Sequence, residues 1–353
     1  MQLIINTFGT SLRRKGDRLV IKSPAAERPI EISAHKIQSL VIATGVHLSS
    51  NVVHLAAEHN IDIVFLDKSG HPTARVWQTK MGSTAAIRRR QLEAADTTEA
   101  MGFVRGWIGK KINNQLGFLR ELEHRRPESK ESFVSPLATL QQCADKVAAC
   151  AGTVDEQRST LMGLEGAAGR AYFACLGQLM PEEYRFTGRS RQPATDAFNA
   201  MLNYSYGVLY SLVERALILA GLDPFVGFLH TDNYNKRSLV FDMIEPFRVL
   251  GDRTTVLIFT GRRARREFFR EIPGGIELSP EGRPALMESF NKRLDRTVRY
   301  PVQGKQAAEK RKYRKIAQRA VIQHEAHALA NLLLGRTDLP RIIETEQIFA
   351  DES

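Results

Sequence analysis

The sequence is poor in cysteine and contains no long hydrophobic run. Its 353 residues include three cysteines, Cys143, Cys150 and Cys175, and none of them forms a C-x-x-C pair. This spacing excludes a cysteine-based zinc site and predicts reduced thiols. No apolar run approaches the roughly 20 residues that a membrane helix needs, and the N-terminus lacks the pattern of a signal peptide. These absences predict a cytoplasmic protein without a membrane partner.

Acidic residues are also scarce relative to basic ones. The chain has 50 Lys and Arg against 39 Asp and Glu, which gives a formal net charge of +11. Two runs concentrate the positive charge, GRRARREFFR at residues 261–270 and GKQAAEKRKYRK at residues 304–315. Either run alone is typical of a solvated helix face. Two such runs in a basic chain favour binding to a nucleic-acid backbone.

The hydrophobic pattern changes near Lys80. Before this point, short Ile- and Val-rich segments predict strands, namely LIIN, RLVIKS, IEIS, IQSLVIA and IDIVFLD, and the segment SSNVVHLAAEHN predicts one helix. From Ala85 onward the periodicity is that of long amphipathic helices. We therefore predict an α+β fold. A small β-rich N-terminal domain spans residues 1–80, and a larger all-α domain spans residues 81–353, with a linker at about 78–86.

Two carboxylates lie close together in the segment SLVFDMIEPFRVL, residues 238–250. If this segment is one helix, Asp242 and Glu245 are three residues apart and share a face. Pro246 is tolerated in a first helical turn and disfavoured in an interior, so a helix could instead begin near Asp242. In that alternative, Asp242 caps the helix and Glu245 completes a capping box, which is a purely structural explanation of both residues.

A further carboxylate, Glu165, lies in the glycine-rich segment GLEGAAGRAYF. Glycines lower helix stability, and a close approach of another backbone would explain their concentration here. His230 ends the apolar run FVGFLH and, taken alone, is more typical of a core histidine than of a ligand. Glu165, His230 and Glu245, with Asp242 beside them, nevertheless offer the oxygen and nitrogen ligands that Mg²⁺ or Mn²⁺ accept.

Three blocks in this order resemble a known family: LMGLEGAAGRAYF, DAFNAMLNYSYGVLY and FLHTDNYNKRSLVFDMIEPFR. Together they are similar to the CRISPR-associated integrase and endonuclease family, the first-numbered Cas proteins, which insert new spacers into a CRISPR array. The resemblance implies a dimerising β-rich N-terminal domain and a helical catalytic domain. It also implies that Glu165, His230 and Glu245 bind the metal and that Asp242 occupies the neighbouring acidic position of the catalytic site.

The resemblance further implies the reaction. A 3′-hydroxyl of a short double-stranded prespacer DNA attacks a phosphodiester of the CRISPR leader-repeat DNA by transesterification, and water in its place gives nuclease activity. The implied protein partners are a second copy of the chain, the small second Cas protein and a Cas exonuclease that trims spacer ends. The candidate phosphate contacts are Lys236, Arg237, Arg248, Arg262, Arg263, Arg265, Arg266, Lys310, Arg311 and Lys312.

Two other interpretations of the same residues stay open. A structure-specific DNA repair nuclease would use the same metal chemistry on a different substrate. A non-catalytic nucleic-acid-binding protein would use the basic runs alone, with the carboxylates as helix caps and His230 in the core.

Overall fold

A computed structural model of the protein describes residues 2–67, 72–76, 84–191, 193–230, 236–301 and 313–336. Most of the linker predicted at about 78–86 falls outside these residues. The chain divides into two compact units, Met1–Gly82 and Ser83–Ser353. Within the described part of the chain, we find no helix with the length and apolar character needed to cross a membrane.

The first unit is built mainly from strands, with one α-helix among its described residues. The helix α1 spans Ser50–Glu58. The strands are β1 (Gln2–Ile5), β2 (Ser11–Lys15), β3 (Arg18–Lys22), β4 (Ile30–Ser33), β5 (Ser39–Ile42), β6 (His47–Leu48), β7 (Asp62–Leu66) and β8 (Pro72–Val76).

These strands form two four-stranded sheets. In one sheet the order is β1-β5-β7-β8, with β1, β5 and β7 parallel and β8 antiparallel to β7. In the other the order is β4-β3-β2-β6, where β2 and β3 form a hairpin that pairs Lys15 with Arg18. Both sheets and α1 contribute to one apolar core, represented by Leu12, Leu40, Val52 and Ile63.

The second unit is mostly helical. Its helices are α2 (Thr84–Ala95), α3 (Thr98–His124), α4 (Glu131–Ala149), α5 (Val154–Leu179), α6 (Ala197–Leu219), α7 (Ser238–Ile244), α8 (Arg248–Thr260), α9 (Gly282–Leu294) and α10 (Gln318–Leu333). The predicted α+β class is confirmed, although this unit also contains two β-hairpins. They pair β9 (Phe269–Ile272) with β10 (Gly275–Leu278) and β11 (Thr297–Pro301) with β12 (Tyr313–Ala317).

The long helix α3 lies at the centre of the second unit. It packs against α4, α5 and α8, and Arg253 of α8 makes a two-point ion pair with Glu121 of α3 at 2.6 Å for both contacts. The helix begins after Thr97, whose side chain accepts a hydrogen bond from the Glu99 N–H. The neighbouring α5 begins with a capping box formed by Thr153 and Glu156. Good caps at both N-termini fix where these helices start, and therefore where their later residues lie.

Residues 238–250, which the sequence treats as one helix beginning either at Ser238 or near Asp242, are divided between two helices. The first, α7, ends at Ile244, a 3-10 turn covers Glu245–Phe247, and α8 begins at Arg248. Pro246 lies in the first residues of the 3-10 turn, where its missing N–H costs no helical hydrogen bond. The break places Glu245 at a bend between two buried helices.

Candidate functional site

Glu165 of α5 and Glu245 of the 3-10 turn both contact the ammonium group of Lys111 on α3. Lys111 Nζ donates a short hydrogen bond to Glu165 Oε1 and lies 2.5 Å from Glu245 Oε2. Lys111 and Glu245 are buried, whereas the side chain of Glu165 is 32% exposed. Glu165 and Glu245 are 80 positions apart in the chain, and the charge of Lys111 holds them together.

The position of Glu245 is set by contacts of the turn that carries it. Asn114 of α3 donates a hydrogen bond from Nδ2 to the Pro246 carbonyl at 2.8 Å. Arg248 Nε donates to Glu245 Oε1 at 2.8 Å. Glu245 Oε2 is buried. Among the described residues, its partner is the ammonium group of Lys111. This carboxylate is therefore held rigidly, with one oxygen facing only a cation.

The electrostatics keep these groups charged. Burial acts to raise the pKa of Glu245, but Arg248 and Lys111 outweigh it and lower the pKa to about 2. Burial likewise acts to lower the pKa of Lys111, but the carboxylates of Glu245 and Glu165 outweigh it, so this pKa is raised. An opposite charge at hydrogen-bond distance favours the charged form of both partners.

His230 is oriented by Asp242. His230 Nδ1 lies 2.6 Å from Asp242 Oδ1, and because a carboxylate only accepts hydrogen bonds, the contact assigns the proton to Nδ1. Asp242 also accepts hydrogen bonds from the backbone N–H groups of Phe228, Leu229 and His230, at 2.6, 3.0 and 3.1 Å. The imidazole is 23% exposed, and in its neutral form Nε2 carries the lone pair. Asp242 thus holds the backbone of residues 228–230 in place and keeps a proton on Nδ1 of His230.

The structure brings the four predicted residues together in two pairs. Glu165 and Glu245 share Lys111, and His230 is held by Asp242, which is three residues before Glu245. The ligand atoms of Glu165, His230 and Glu245 do not all lie within 4.8 Å of one another among the described residues. Lys111 explains the arrangement of the first pair, because its ammonium lies against both carboxylates.

The capping explanation of Asp242 and Glu245 is wrong. Asp242 lies inside α7 and bonds the loop before it, and no side chain caps α7. Glu245 is the first residue of the 3-10 turn and bonds Lys111 and Arg248. His230 is also partly exposed, which removes the interpretation of a fully buried core histidine.

The expected explanation of the glycines around Glu165 is also wrong. A Cβ added to Gly163 or Gly169 would meet no atom within 4 Å, so no other backbone approaches them closely. A Cβ added to Gly166 would lie 3.4 Å from the end of the Arg170 side chain. The surface of α5 around Glu165 is therefore open, where the sequence predicted tight packing.

The predicted phosphate contacts fall into three groups. Lys236 lies over the ring of Phe241, and Arg237 and Arg248 make ion pairs with Glu214 and Glu245 at 2.8 Å. The second group is exposed between α8 and β9 and comprises Arg262, Arg263, Arg265 and Arg266. The third group, Lys310, Arg311 and Lys312, lies outside the described residues. The run at 261–270 forms a turn and a strand, not the helix face that the sequence first favoured.

Sequence reasoning missed Lys111 and Asn114. Both lie at buried positions of α3 in the segment GKKINNQLGF, between apolar residues such as Ile108 and Leu116. A lysine at a buried helical position needs a counter-charge, and this requirement was the available signal. The sequence does not say which of the many carboxylates supplies it.

The donor set fits a divalent ion. Two carboxylates of different elements lie against one positive charge, and a histidine whose Nδ1 faces Asp242 offers Nε2 as a ligand atom. Oxygen and imidazole ligands of this kind suit Mg²⁺ or Mn²⁺. Glu165, Glu245 and His230 are the residues that would hold the ion.

The chain is similar to known proteins over most of its length. Residues 3–292 match the family described as CRISPR associated protein Cas1. A CRISPR-associated endonuclease Cas1 of Archaeoglobus fulgidus is 31% identical over 312 residues, which cover 85% of this chain and 90% of the relative. A CRISPR-associated exonuclease Cas4/endonuclease Cas1 fusion of Rhodospirillum rubrum is 29% identical and is matched over 95% of this chain and 56% of its own length.

Solved structures show the same fold. A casposase bound to its integration product has a TM-score of 0.79 and 23% identity, covering 98% of this chain and 94% of its own. A Cas1 protein from Thermotoga maritima has a TM-score of 0.75 and 21% identity, covering 95% and 97%. A Cas6-RT-Cas1–Cas2 complex has a TM-score of 0.74 and 21% identity, covering 100% of this chain and 36% of the other.

Proposed function

Because the chain belongs to the Cas1 family of CRISPR-associated proteins, we propose that it is a metal-dependent DNA integrase and endonuclease that acts in spacer acquisition. It joins 3′-hydroxyl ends of short prespacer DNA to the CRISPR repeat by transesterification. With water as the attacking group, the same centre hydrolyses DNA. The observation that carries the proposal is the pair of carboxylates, Glu165 and Glu245, brought from two distant elements onto one buried cation.

The chain's own residues prepare this centre. Lys111 and Arg248 hold Glu245 in its charged form, and Asn114 fixes the turn that carries it. Asp242 keeps the proton of His230 on Nδ1, so that Nε2 is available as a ligand. Glu165, at the open surface of α5, is the member of the set that solvent and substrate reach most easily.

A bound divalent ion supplies the positive charge that stabilises the attacked phosphodiester and lowers the pKa of the attacking hydroxyl. The exposed arginines between α8 and β9 are in a position to contact a DNA backbone without reading its sequence. Such contacts suit an enzyme that inserts many different sequences. They also make binding to DNA fall with rising salt concentration.

The proposed partners follow from the relatives. The Cas6-RT-Cas1–Cas2 complex supports assembly with Cas2, the small second Cas protein, and the casposase bound to its integration product supports contact with DNA. The Cas4/Cas1 fusion supports cooperation with an exonuclease that trims spacer ends. We propose in addition that the chain forms a homodimer through its β-rich N-terminal unit.

The test measures joining of a labelled short DNA duplex to a supercoiled plasmid that carries a CRISPR repeat. The reaction contains Mg²⁺ or Mn²⁺, with and without Cas2, and EDTA in a parallel sample. Glu165→Gln and His230→Asn remove one proposed ligand each at nearly constant size. We expect each to lower the rate by at least about 100-fold, since even residues that only orient metal ligands are worth about 10- to 100-fold.

Two exposed residues provide matched controls. Glu182→Gln and His327→Asn make the same chemical changes away from the proposed centre and should retain the activity of the unaltered chain. Full activity in Glu165→Gln, or in EDTA, would contradict the proposed centre. Cutting of branched DNA without any joining would instead support a structure-specific repair nuclease.

A further inference from the structure

Three side chains of the N-terminal unit converge at one place outside the proposed active centre. They are Asp17, His35 and His59, and one potential ligand atom of each lies within 4.8 Å of the other two. His59 Nε2 lies 3.4 Å from Asp17 Oδ1. The rings of His35 and His59 have their centroids 4.5 Å apart at an angle of 87°. Within the described residues, no other set of three His, Cys, Asp or Glu side chains meets this distance.

The backbone determines this convergence. Asp17 is the second residue of the two-residue turn between β2 and β3, which Gly16 makes possible with a φ of +56°. The Asp17 carbonyl accepts a hydrogen bond from the Ala34 N–H at 2.9 Å, which ties this turn to a second 3-10 turn, Ala34–Lys36, which carries His35. His59 directly follows α1, and its N–H bonds the Leu55 carbonyl at 3.2 Å. Backbone hydrogen bonds therefore position the three elements that carry Asp17, His35 and His59.

The donor set indicates a class of ion. Two imidazoles and one carboxylate suit borderline divalent transition ions such as Zn²⁺, Co²⁺ and Ni²⁺, whereas Mg²⁺ and Ca²⁺ prefer oxygen. Two ligands about 2.1 Å from a tetrahedral ion are about 3.4 Å apart, which equals the separation of His59 Nε2 and Asp17 Oδ1. Because the Asp17 side chain is 63% exposed, an ion and a completing water would have access from solvent.

The C-terminus of α1 contributes partial negative charge beside His59. The C-terminal carbonyls of α1 end at His59, and the C-terminus of a helix carries partial negative charge. The adjacent Glu58 is neutralised by a two-point ion pair with Arg14, at 3.0 and 2.9 Å, so Arg14 is turned toward Glu58.

We propose that Asp17, His35 and His59 bind one divalent transition-metal ion, with Zn²⁺ as the representative. The ion cross-links the β2–β3 turn, the 3-10 turn Ala34–Lys36 and the end of α1, and so stabilises the β-rich unit. An ion that binds only the folded state raises the stability by mass action. The site is independent of the proposed DNA chemistry and of its metal.

The experiment titrates the full chain with Zn²⁺ by calorimetry and with Co²⁺ by visible absorption. We expect the double variant His35→Gln/His59→Gln to lose one equivalent of binding and to lose the rise in melting temperature that Zn²⁺ produces. Asp17→Asn should weaken the same equivalent by about 10-fold or more. His47→Gln/His54→Gln changes two exposed histidines of the same unit and should bind as the parent does.

The titration is repeated in Glu165→Gln/His230→Asn, which removes ligands of the proposed active centre. The equivalent that depends on His35 and His59 should persist there, so failure of this proposal and failure of the proposed function give different results. Circular dichroism checks that each variant is folded. Equal binding by His35→Gln/His59→Gln and the parent would overturn the site, as would an equal loss in the control variant.

Discussion

Lys110 and Lys111 are consecutive residues of α3, both are buried, and they lie in opposite electrostatic surroundings. Lys111 contacts two carboxylates, and its pKa is raised. Burial lowers the pKa of Lys110 to about 8, with Glu325 as the opposing charge. Burial of a similar degree therefore has different outcomes, because the number of close counter-charges decides whether an ammonium stays charged.

The carboxylates show the same contrast. Arg248 and Lys111 overcome the effect of burial and hold the pKa of Glu245 at about 2. Burial raises the pKa of Glu325 to about 8, since Lys110 and a 3.5 Å hydrogen bond from Tyr300 compensate only in part. The Lys111 side of α3 is thus organised to keep its groups charged at neutral pH, as the proposed centre would require. On the Lys110 side, Lys110 and Glu325 form a pair in which burial shifts both pKa values toward the neutral forms.

The largest difference should follow from removing each ammonium. Lys111→Met leaves two carboxylates close together, one of them buried, and removing one partner of a buried ion pair costs about 3–5 kcal/mol. Lys110→Met leaves a carboxyl group that is readily protonated, so we expect a loss below about 1 kcal/mol. Urea unfolding at pH 7 measures the free energy of unfolding of both variants.

The two variants control for each other, because the same side chain is replaced at consecutive positions of one helix. Equal destabilisation would contradict the comparison and indicate that both ammonium groups serve only to pack their aliphatic stems. We also expect Lys111→Met to lose DNA joining and Lys110→Met to retain it.

A second prediction concerns Asp242, which lies three residues before Glu245 and orients His230. Asp242→Asn replaces an acceptor with an amide, while three backbone N–H groups and His230 Nδ1 still require acceptors. We expect a loss of about 1–3 kcal/mol in the free energy of unfolding. DNA joining should fall by about 10- to 100-fold, because His230 loses its orientation. Normal activity at reduced stability would show that Asp242 only stabilises the backbone of residues 228–230 and does not contribute to the reaction.

Parts of this arrangement could be predicted from the sequence and parts could not. The five predicted strand segments each overlap a strand, because their Ile and Val residues alternate or run together as in buried strands. The strand β2, SLRRK, was not predicted, since Leu12 is its one apolar residue and a serine and three basic residues occupy the other positions. β6 and β8 were likewise missed. Strands at polar surfaces have little hydrophobic signal.

For the candidate site, sequence identified carboxylates and a histidine but not what holds them. Glu165, His230 and Glu245 come from blocks that resemble a family, whereas Lys111 lies in an ordinary amphipathic helix. Its role depends on α3, α5 and the 3-10 turn meeting in space, and periodicity gives faces but not partners. The convergence of Asp17, His35 and His59 could not be predicted for the same reason, because the pairing of β2 with β3 and backbone hydrogen bonds between turns bring them together.

A third, smaller effect is expected on the pH dependence of stability. The pKa of Glu325 is raised from 4.5 to about 8, so the folded state favours the protonated carboxyl group. Its contribution is complete below pH 4.5 and is lost as the pH rises through 8. Glu325→Gln stays neutral and should remove this loss, on the order of 1 kcal/mol between pH 5 and 8.

Thermal unfolding of the parent and of Glu325→Gln at several pH values checks the sign. Glu128→Gln, at an exposed position, is the matched control and should keep the slope of the parent. A steeper decline in Glu325→Gln would mean that the folded state prefers the charged carboxylate, and would remove the contrast with Glu245.

The smallest effect tests the open surface on the Lys111 side. Successive helical residues are about 100° apart, so Gly169 lies about 40° from Glu165 around α5 and Gly163 about 160°. An added Cβ meets no atom within 4 Å at either position, so alanine should raise the free energy of unfolding by up to about 1 kcal/mol in both variants. If DNA approaches the face that carries Glu165, Gly169→Ala should lower the joining rate several-fold while Gly163→Ala leaves it unchanged. Equal rates at increased stability would show that DNA does not approach along this face, and that the glycines beside Glu165 have no part in the reaction.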